Sequence, residues 1–146
     1  MSKIKLCSAL GKKYIVFRKM NDPHVAIVGA TGAVGVEMLL CLAQRNFPLG
    51  KLKLLASARS AGRKMVFRGG EILVEELTQD SFKGVDIALF SAGGEISLKF
   101  GPIAAAAGAV VIDNSSAFRM DDGVPLVIPE INPQAAKNRP HGIIAN

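Results

Sequence analysis

Three glycines, Gly29, Gly32 and Gly35, follow an apolar run at 25–28 and precede a helical pattern of apolar side chains. The run predicts a strand that must reverse sharply into the helix, and glycine permits the dihedral angles of such a reversal. A turn without side chains also lets a pyrophosphate approach the backbone, with its charge at the N-terminus of the helix. We therefore predict a dinucleotide-binding turn in the less common Gly-x-x-Gly-x-x-Gly form. A glycine-rich turn without a ligand is the alternative.

A basic segment with several hydroxyls follows the second predicted strand, at 52–56. Domains that bind NAD usually carry an acidic residue about 20 residues past the glycines, which accepts a hydrogen bond from the ribose 2′-OH. This chain has no carboxylate between Glu37 and Glu71, and Arg59 and Ser60 lie in that interval. Because a guanidinium and a hydroxyl can hold a 2′-phosphate, the segment favours NADP over NAD. A solvated basic loop is the alternative.

Two further segments follow predicted strands. Ser91, Ala92 and Gly93 come after the strand at 86–90, and Arg119 lies in the loop that follows the strand at 109–112. Ligands of open parallel sheets lie outside the carboxyl ends of the strands, so all these segments should share one cleft. The backbone at 91–93 would then face the ribose or nicotinamide, or else form only a tight turn.

The elements that position these segments alternate between strand and helix. We predict a helix at 33–45, a strand at 52–56, hairpin strands at 65–67 and 72–74, a short turn at 80–84, a strand at 86–90, a helix at 95–107 interrupted at Gly101-Pro102 and closed by Gly108, strands at 109–112, 125–128 and 142–145, and a helical turn from Pro133. This order predicts an α/β fold: a Rossmann-like, mainly parallel sheet with helices on both faces.

Residues suited to nucleophilic or metal chemistry are few. The first helix should turn an apolar face inward through Val36, Leu39, Leu40 and Ala43, and Cys41 beside them is predicted to be a small buried hydrophobic residue. Cys7 lies near the N-terminus, and neither histidine has an evident nucleophile to serve. No Cys/His cluster has metal-ligand spacing, and two cysteines give no disulfide framework, which suits a reducing compartment. We predict neither a catalytic residue nor a metal site.

The net charge of +6 is unevenly distributed. Residues 1–24 hold six basic side chains and one carboxylate, whereas residues 25–146 hold 12 basic and 11 acidic groups. We expect no nucleic-acid partner, because no basic stripe with aromatic residues exists, and no membrane span, because the longest apolar run is shorter than about 18 residues. We predict a disordered basic leader at 1–24 and an NAD(P)-binding domain at 25–146. The expected location is the cytoplasm, or the plastid if the leader is a transit peptide.

Several motifs in this order resemble the aspartate-semialdehyde dehydrogenases, from about residue 25 to 146. They are Gly-Ala-Thr-Gly-Ala-Val-Gly at 29–35, Arg-Ser-Ala-Gly at 59–62, Phe-Ser-Ala-Gly-Gly at 90–94, Asp-Asn-Ser-Ser-Ala-Phe-Arg-Met at 113–120, Val-Pro-Leu-Val-Ile-Pro-Glu-Ile-Asn at 124–132 and Ile-Ile-Ala-Asn at 143–146. The resemblance implies cofactor contacts at Thr31, Gly32, Ala33 and Val34. It implies a 2′-phosphate site at Arg59 and Ser60. It also implies that Arg119 binds the substrate's phosphate or phosphoryl group, although an exposed pair with Asp121 or Asp122 is the alternative.

The resemblance further implies a reaction. Such enzymes are homo-oligomers that use NADPH to reduce β-aspartyl phosphate to aspartate semialdehyde and phosphate through a cysteine thioester, in lysine, threonine and methionine biosynthesis. Family members continue past the Ala-Asn that matches 145–146 with Pro-Asn-Cys, which supplies the nucleophile, and their general-base histidine lies in the next domain. We therefore expect an NADP-binding fragment without the substrate and dimerisation domain, inactive alone. A non-catalytic NADP-binding regulatory module is the alternative.

Overall fold

The computed structural model describes residues 22–146, which form a seven-stranded sheet with one helix on each face. The elements are the strands β1 (His24–Val28), β2 (Lys51–Ala56), β3 (Lys64–Phe67), β4 (Gly70–Glu76), β5 (Ile87–Phe90), β6 (Val110–Asp113) and β7 (Ile143–Ala145), the helices α1 (Ala33–Gln44) and α2 (Gly94–Ala106), and the short 3₁₀ helices Ala58–Ser60, Gln79–Phe82 and Pro133–Lys137. The predicted Rossmann-like architecture is confirmed. The leader predicted at 1–24 lies, up to residue 21, outside the described residues.

The strand order is β3-β4-β2-β1-β5-β6-β7, with β1 in the middle. β1 pairs in parallel with β2 on one side and with β5 on the other, where Val25 lies opposite Leu52 and Ile87 respectively. All the other strand pairs are parallel except the β3–β4 hairpin, which is antiparallel as predicted. None of the helices in residues 22–146 has the length and apolar character needed to cross a membrane.

Alternate side chains of β1 belong to two separate cores. Ala26 and Val28 belong to the core beneath α2, which is rich in phenylalanine and includes Phe90. Ile27 belongs to the core beneath α1, which is largely aliphatic and includes Leu54. Because neighbouring residues of a strand point to opposite faces, a sheet covered on both sides needs an apolar residue at every position of its central strand. The unbroken apolar run of β1 meets that requirement.

Helix α1 forms where it is predicted, but its predicted inward face is only partly right: Leu39 is buried and Ala43 packs against the core, whereas Leu40 does not. Leu40 is 43% exposed and Cys41 is exposed, so the prediction that Cys41 is buried is also wrong. Besides Leu39 and Ala43, the inward positions are Gly35, Met38 and Leu42, which the sequence did not predict. The close approach of Gly35 to the main chain of Gly29 fixes the rotation of the helix. The i, i+3, i+4 and i+7 positions counted from Gly35 then face the sheet.

Helix α2 is continuous through Pro102, contrary to the predicted interruption. A proline inside a helix costs about 3 kcal/mol because it removes a hydrogen bond and crowds the preceding turn. Phe100 and Ala104 on either side of it are buried in the core, and their burial keeps both halves of the helix on the sheet. Gly108, with a φ of +97°, ends the helix as predicted.

Residues 125–128 do not form the predicted strand. They contribute one isolated bridge, between Leu126 and Ala145 of β7. Val127 donates its N–H to Ala145 at 2.8 Å, and Ala145 donates to Pro125 at 3.0 Å. Prolines at 125 and 129 have no N–H to donate, so the pairing with the sheet edge ends after these two bonds.

A two-residue turn joins β3 to β4, and both of its residues, Arg68 and Gly69, have positive φ angles of 49° and 80°. Such a turn suits the twist of a hairpin but favours asparagine and glycine. The Arg68 guanidinium donates to the main-chain oxygens of Leu42 and Phe47 at 3.1 and 2.8 Å, and it lies 5.0 Å from the Phe67 ring centre. This side chain therefore ties the hairpin to the C-terminal end of α1.

We expect Arg68→Ala to lower the free energy of unfolding by about 1–2 kcal/mol, because it removes two hydrogen bonds from an exposed charged donor. Arg68→Gly removes the same bonds but relieves the left-handed conformation, which costs about 1–2 kcal/mol for a residue with a Cβ. The glycine variant should therefore be the more stable of the two. Urea denaturation measures both values, and an alanine variant as stable as the wild type would contradict the anchoring role.

Candidate cofactor cleft

The strand order reverses between β1 and β5, and this reversal locates the cleft. On one side of β1 the sheet continues with β2, β4 and β3, in that spatial order. On the other side it continues with β5, β6 and β7. In open α/β sheets the crevice at such a reversal, outside the carboxyl ends of the strands, is where ligands bind. The glycine turn after β1 and the segment after β5 meet there. A Cβ added to Gly29 would lie 2.9 Å from the main-chain carbonyl of Ser91.

The glycine turn is compact and its backbone is accessible. Gly29 has a φ of +84° and donates its N–H to Leu55 at 2.9 Å, and Gly32 donates to Gly29 at 3.0 Å. A Cβ on Gly35 would overlap the carbonyl oxygen of Gly29, so the absence of a side chain there permits close packing of helix on strand. The glycines therefore bring α1 as near to β1 as two backbones can approach.

The first turn of α1 opens to solvent beside these glycines. It contains no acidic residue, and no side chain caps it at Gly32. Thr31 is partly exposed, and Ala33 and Val34 are exposed. The first N–H groups of a helix have no partner within the helix and attract anions. The residues predicted to contact the cofactor therefore surround an accessible site for a negatively charged group.

Arg59 and Ser60 lie in the 3₁₀ helix directly after β2, at the same edge of the sheet. Ser60 donates its N–H to Ser57 at 2.8 Å, and Gly62 donates to Val74 of β4 at 2.8 Å, so both ends of the segment are held by main-chain bonds. Arg59 is exposed, and among residues 22–146 its guanidinium has no hydrogen-bond or ion-pair partner. Its charge is thus available to a ligand.

The segment after β5 turns its backbone toward the cleft. The Ser91 N–H and hydroxyl both donate to the Val28 oxygen, at 2.9 and 3.1 Å, so this hydroxyl proton is engaged in joining β5 to β1. Gly93 has a φ of +88°, and no atom lies within 4 Å of the position of a Cβ there. Ala92 between them is partly exposed. A ligand could approach this backbone without displacing a side chain.

Arg119 contacts main chain and not a neighbouring carboxylate. Its Nε and Nη2 donate to the Asn146 oxygen at 3.2 and 3.0 Å. The alternative pairing with Asp121 or Asp122 does not form. Asn146 is itself fixed, because its N–H donates to Asp113 at 2.9 Å and its Nδ2 donates to Val127 at 3.0 Å.

Asp113 and Ser115 belong to the motif at 113–120, but their joint role with Ser97 in holding the Arg119 loop was not predicted from the sequence. Asp113 and Ser97 are both fully buried, and the Ser97 hydroxyl donates to Asp113 Oδ1 at 2.6 Å. Ser115 donates to Asp113 Oδ2 at 2.6 Å. The signal in the sequence that could have indicated this network is a carboxylate, Asp113, at the end of an apolar strand. The four segments predicted to share one cleft do follow β1, β2, β5 and β6 at one edge of the sheet.

A family model described as the NAD-binding domain of semialdehyde dehydrogenase matches residues 24–139. The chain belongs to this family. Aspartate-semialdehyde dehydrogenase from Bacillus subtilis is 57% identical over 123 residues, which cover 84% of this chain and 35% of the relative. The corresponding protein from Synechocystis is also 57% identical, with 84% and 36% covered. The chain thus spans about a third of the length of the curated relatives it matches.

Solved structures of the family share the fold. The aspartate semialdehyde dehydrogenase II of Vibrio cholerae, complexed with ASA, superposes with a TM-score of 0.80 at 53% identity and covers 86% of this chain and 41% of that one. The enzyme from Candida albicans, solved with NADP, has a TM-score of 0.73 at 24% identity, covers 85% and 42% respectively, and shows the fold alone. The resemblance inferred from the motifs is confirmed, and a pyridine dinucleotide is the ligand for which the domain family is named.

Proposed function

We propose that this chain is the NADP-binding part of an aspartate-semialdehyde dehydrogenase. The whole enzyme would reduce β-aspartyl phosphate to aspartate semialdehyde and release phosphate, as a homo-oligomer in the cytoplasm, or in the plastid if residues 1–24 direct it there. The observation that carries the proposal is that four motif segments follow β1, β2, β5 and β6 at one edge of the sheet, on both sides of the β1–β5 reversal. Bound NADPH would supply the hydride for this reaction, and the chain's own residues would bind and orient the reactants.

The pyrophosphate would lie on the glycine turn. Gly29, Thr31, Gly32, Ala33 and Val34 supply backbone at the uncapped first turn of α1, where no carboxylate opposes an anion. This arrangement fits a dinucleotide, because side chains there would occupy the space of the pyrophosphate.

The nicotinamide end of the cofactor would extend toward the carboxyl end of β5. Ser91, Ala92 and Gly93 present main chain there, and the open space beside Gly93 leaves room for a ring or a ribose. The Ser91 hydroxyl already donates to Val28, so it can serve the ligand only as a hydrogen-bond acceptor. We propose these residues as the second set of cofactor contacts.

Arg119 would bind the phosphate or phosphoryl group of the substrate. A guanidinium has five N–H donors, and two of its nitrogens contact the single Asn146 oxygen, so donors remain for an anion. The bond to Asn146 restricts the side chain and leaves other N–H groups of the guanidinium to donate to an anion. A guanidinium held in one orientation is suited to forked recognition of phosphate oxygens.

Arg59 and Ser60 would hold the 2′-phosphate and so select NADP. We expect the wild type to bind NADPH more tightly than NADH, and Arg59→Ala to weaken NADPH binding by about 1.5–3 kcal/mol, roughly 10- to 100-fold, because a charge-assisted contact is lost. NADH binding should be unchanged. Isothermal titration calorimetry of both cofactors measures the effect.

Arg45→Ala is the matched control for this experiment. It removes the same charge, but Arg45 is exposed just after the C-terminal end of α1, at the opposite end of that helix from the glycine turn. Equal affinity of the wild type for NADPH and NADH would refute the 2′-phosphate site. Absence of binding of either cofactor would refute the cofactor cleft itself.

A further inference from the structure

A buried carboxylate lies at the end of β6, and the described part of the chain offers it no cationic partner. Asp113 is fully buried, and each of its oxygens accepts one short hydroxyl bond of 2.6 Å, from Ser97 on α2 and from Ser115 in the following loop. No Lys, Arg or His among residues 22–146 forms an ion pair with it. A buried charge costs stability unless it is well paired, and an apolar side chain would serve a purely structural position better. We therefore infer that Asp113 has a role other than packing.

The loop that carries Arg119 begins at this carboxylate. The Ser115 hydroxyl group donates its proton to Asp113, and its oxygen accepts the Ala117 N–H at 3.1 Å, which fixes the turn at 115–117. Phe118 follows and is buried, with its ring against α2, where a Cβ on Gly101 would lie 3.1 Å away. The conformation of the loop is thus set up to the residue before the arginine.

Asp113 also fixes the group that receives the Arg119 side chain. Its main-chain oxygen accepts the Asn146 N–H at 2.9 Å, and the Asn146 oxygen accepts both bonds from the guanidinium. Hydrogen bonds from Ser115 to Asp113, from Arg119 to Asn146 and from Asn146 to Asp113, together with the main chain at 115–119, therefore form a closed circuit. Asp113 therefore restrains Arg119 in two ways: through Ser115 at the main chain of the loop, and through Asn146 at the guanidinium.

Ser97 links this circuit to the cofactor cleft. It lies in the first turn of α2, and its N–H donates to the Gly93 oxygen at 3.1 Å, while its hydroxyl donates to Asp113. A single buried residue thus separates the backbone proposed for the nicotinamide end from the carboxylate that holds the phosphate loop. The two proposed ligand sites are joined by fixed bonds and not through solvent.

We propose that Ser97, Asp113 and Ser115 form a positioning bridge that holds the Arg119 guanidinium in a fixed place relative to the cofactor-cleft segment at 91–93. As far as the phosphate is concerned, this inference rests on the proposed function. The bridge binds no ligand. It acts through Arg119, by limiting the positions that the guanidinium can take before an anion arrives, so that less conformational freedom is lost on binding.

The test uses the 146-residue chain labelled with ¹⁵N, inorganic phosphate as the probe, and the Arg119 Nε–H resonance as the readout. Asp113→Asn endangers folding, so Ser115→Ala, at a half-buried position, is the informative variant. We expect it to shift the Arg119 Nε–H resonance, to speed amide exchange at 114–120 and to weaken phosphate binding about tenfold, because orientation of the arginine is lost. NADPH affinity should stay within about twofold of the wild type.

Ser115→Thr keeps the hydroxyl and should restore all three properties, which a simple loss of stability would not explain. Ser116→Ala is the matched control, because Ser116 is the exposed neighbour and makes no hydrogen bond in the described structure. An unchanged Arg119 resonance in Ser115→Ala would overturn the positioning role. Phosphate binding that is absent from the wild type, or unaffected by Arg119→Ala, would instead overturn the phosphate role under the proposed function. The Arg119 resonance and amide exchange would then decide the positioning role alone.

Discussion

The purified 146-residue chain is expected to show no dehydrogenase activity. By its resemblance to the family, hydride transfer requires a thiolate attached to the carbonyl carbon, and the Pro-Asn-Cys that supplies it is not among these residues. Cys41 is exposed on α1, eight residues beyond Ala33, and so lies about 12 Å along the helix axis from the glycine turn. Removal of the nucleophile from a covalent site can cost about six orders of magnitude in rate. Positioning of the reactants alone should leave only a trace of that rate.

The assay combines the chain with aspartate semialdehyde, phosphate and NADP, and it follows the absorbance of the reduced cofactor. A flat trace is expected at any practical enzyme concentration. If turnover is detected, the Cys7→Ala and Cys41→Ala variants show whether either thiol is responsible. Turnover that disappears with Cys41 would identify that thiol as a nucleophile, and turnover that survives both substitutions would require a mechanism without cysteine. Either result would contradict the prediction.

Among glycine-to-alanine substitutions in the glycine turn at 29–35, Gly35→Ala is expected to cause the largest loss of stability. The new Cβ would overlap the Gly29 oxygen and would lie 2.8 Å from the Ala30 Cα. Both are main-chain atoms, so no side-chain rotation can relieve the contact, and α1 must move away from β1. Overpacking costs typically about 1–3 kcal/mol, and a clash with backbone should reach or exceed the upper value. NADPH binding should be lost together with the geometry of the turn.

Gly94→Ala provides the control for this substitution. Gly94 is the first residue of α2, its φ is not positive, and a Cβ there meets nothing within 4 Å. Alanine at a compatible helical position stabilises by about 0.4–1 kcal/mol, so this variant should unfold at an equal or higher urea concentration. Circular dichroism follows both transitions, since the chain has no tryptophan. A Gly35→Ala variant as stable as the wild type would show that α1 can be displaced freely, against the role assigned to this contact.

The fold was predictable where local patterns decide it. The apolar run of β1, the glycines after it and the alternation of strands with helices specify a parallel sheet covered on both faces. The rotation of α1 was not predictable, because the contact of Gly35 with Gly29 decides it and the apolar side chains of that helix occur on several sides. For the same reason Cys41, surrounded by apolar neighbours in the sequence, is exposed.

Pro102 shows a similar limit. Local propensity predicts a break in α2, but burial of Phe100 and Ala104 against the sheet outweighs it. Packing of this kind depends on residues from distant strands.

The candidate site was predictable as a set of segments but not as a network. Residues after strand ends share one edge of a parallel sheet, so Arg59, Ser91 and Arg119 could be placed near Gly29. The partner of Arg119 is a main-chain oxygen 27 residues away, and Asp113 finds Ser97 across 16 residues. Hydroxyls and main-chain groups are too frequent in any sequence for such pairs to be recognised from their spacing. The roles of these residues toward ligands stay predictions.

The central place of β1 has a consequence for synthesis of the chain. β1 is completed on one side by β5, whose first residue Ile87 pairs with Val25, 62 residues earlier. At ribosomal rates of 5–20 residues per second, the apolar strand leaves the tunnel about 3–12 s before this partner does. During that interval its unpaired N–H and C=O groups are a template for strands of other nascent chains. The nascent chain is therefore vulnerable to misassembly in the interval after β1 has left the ribosome and before β5 can pair with it.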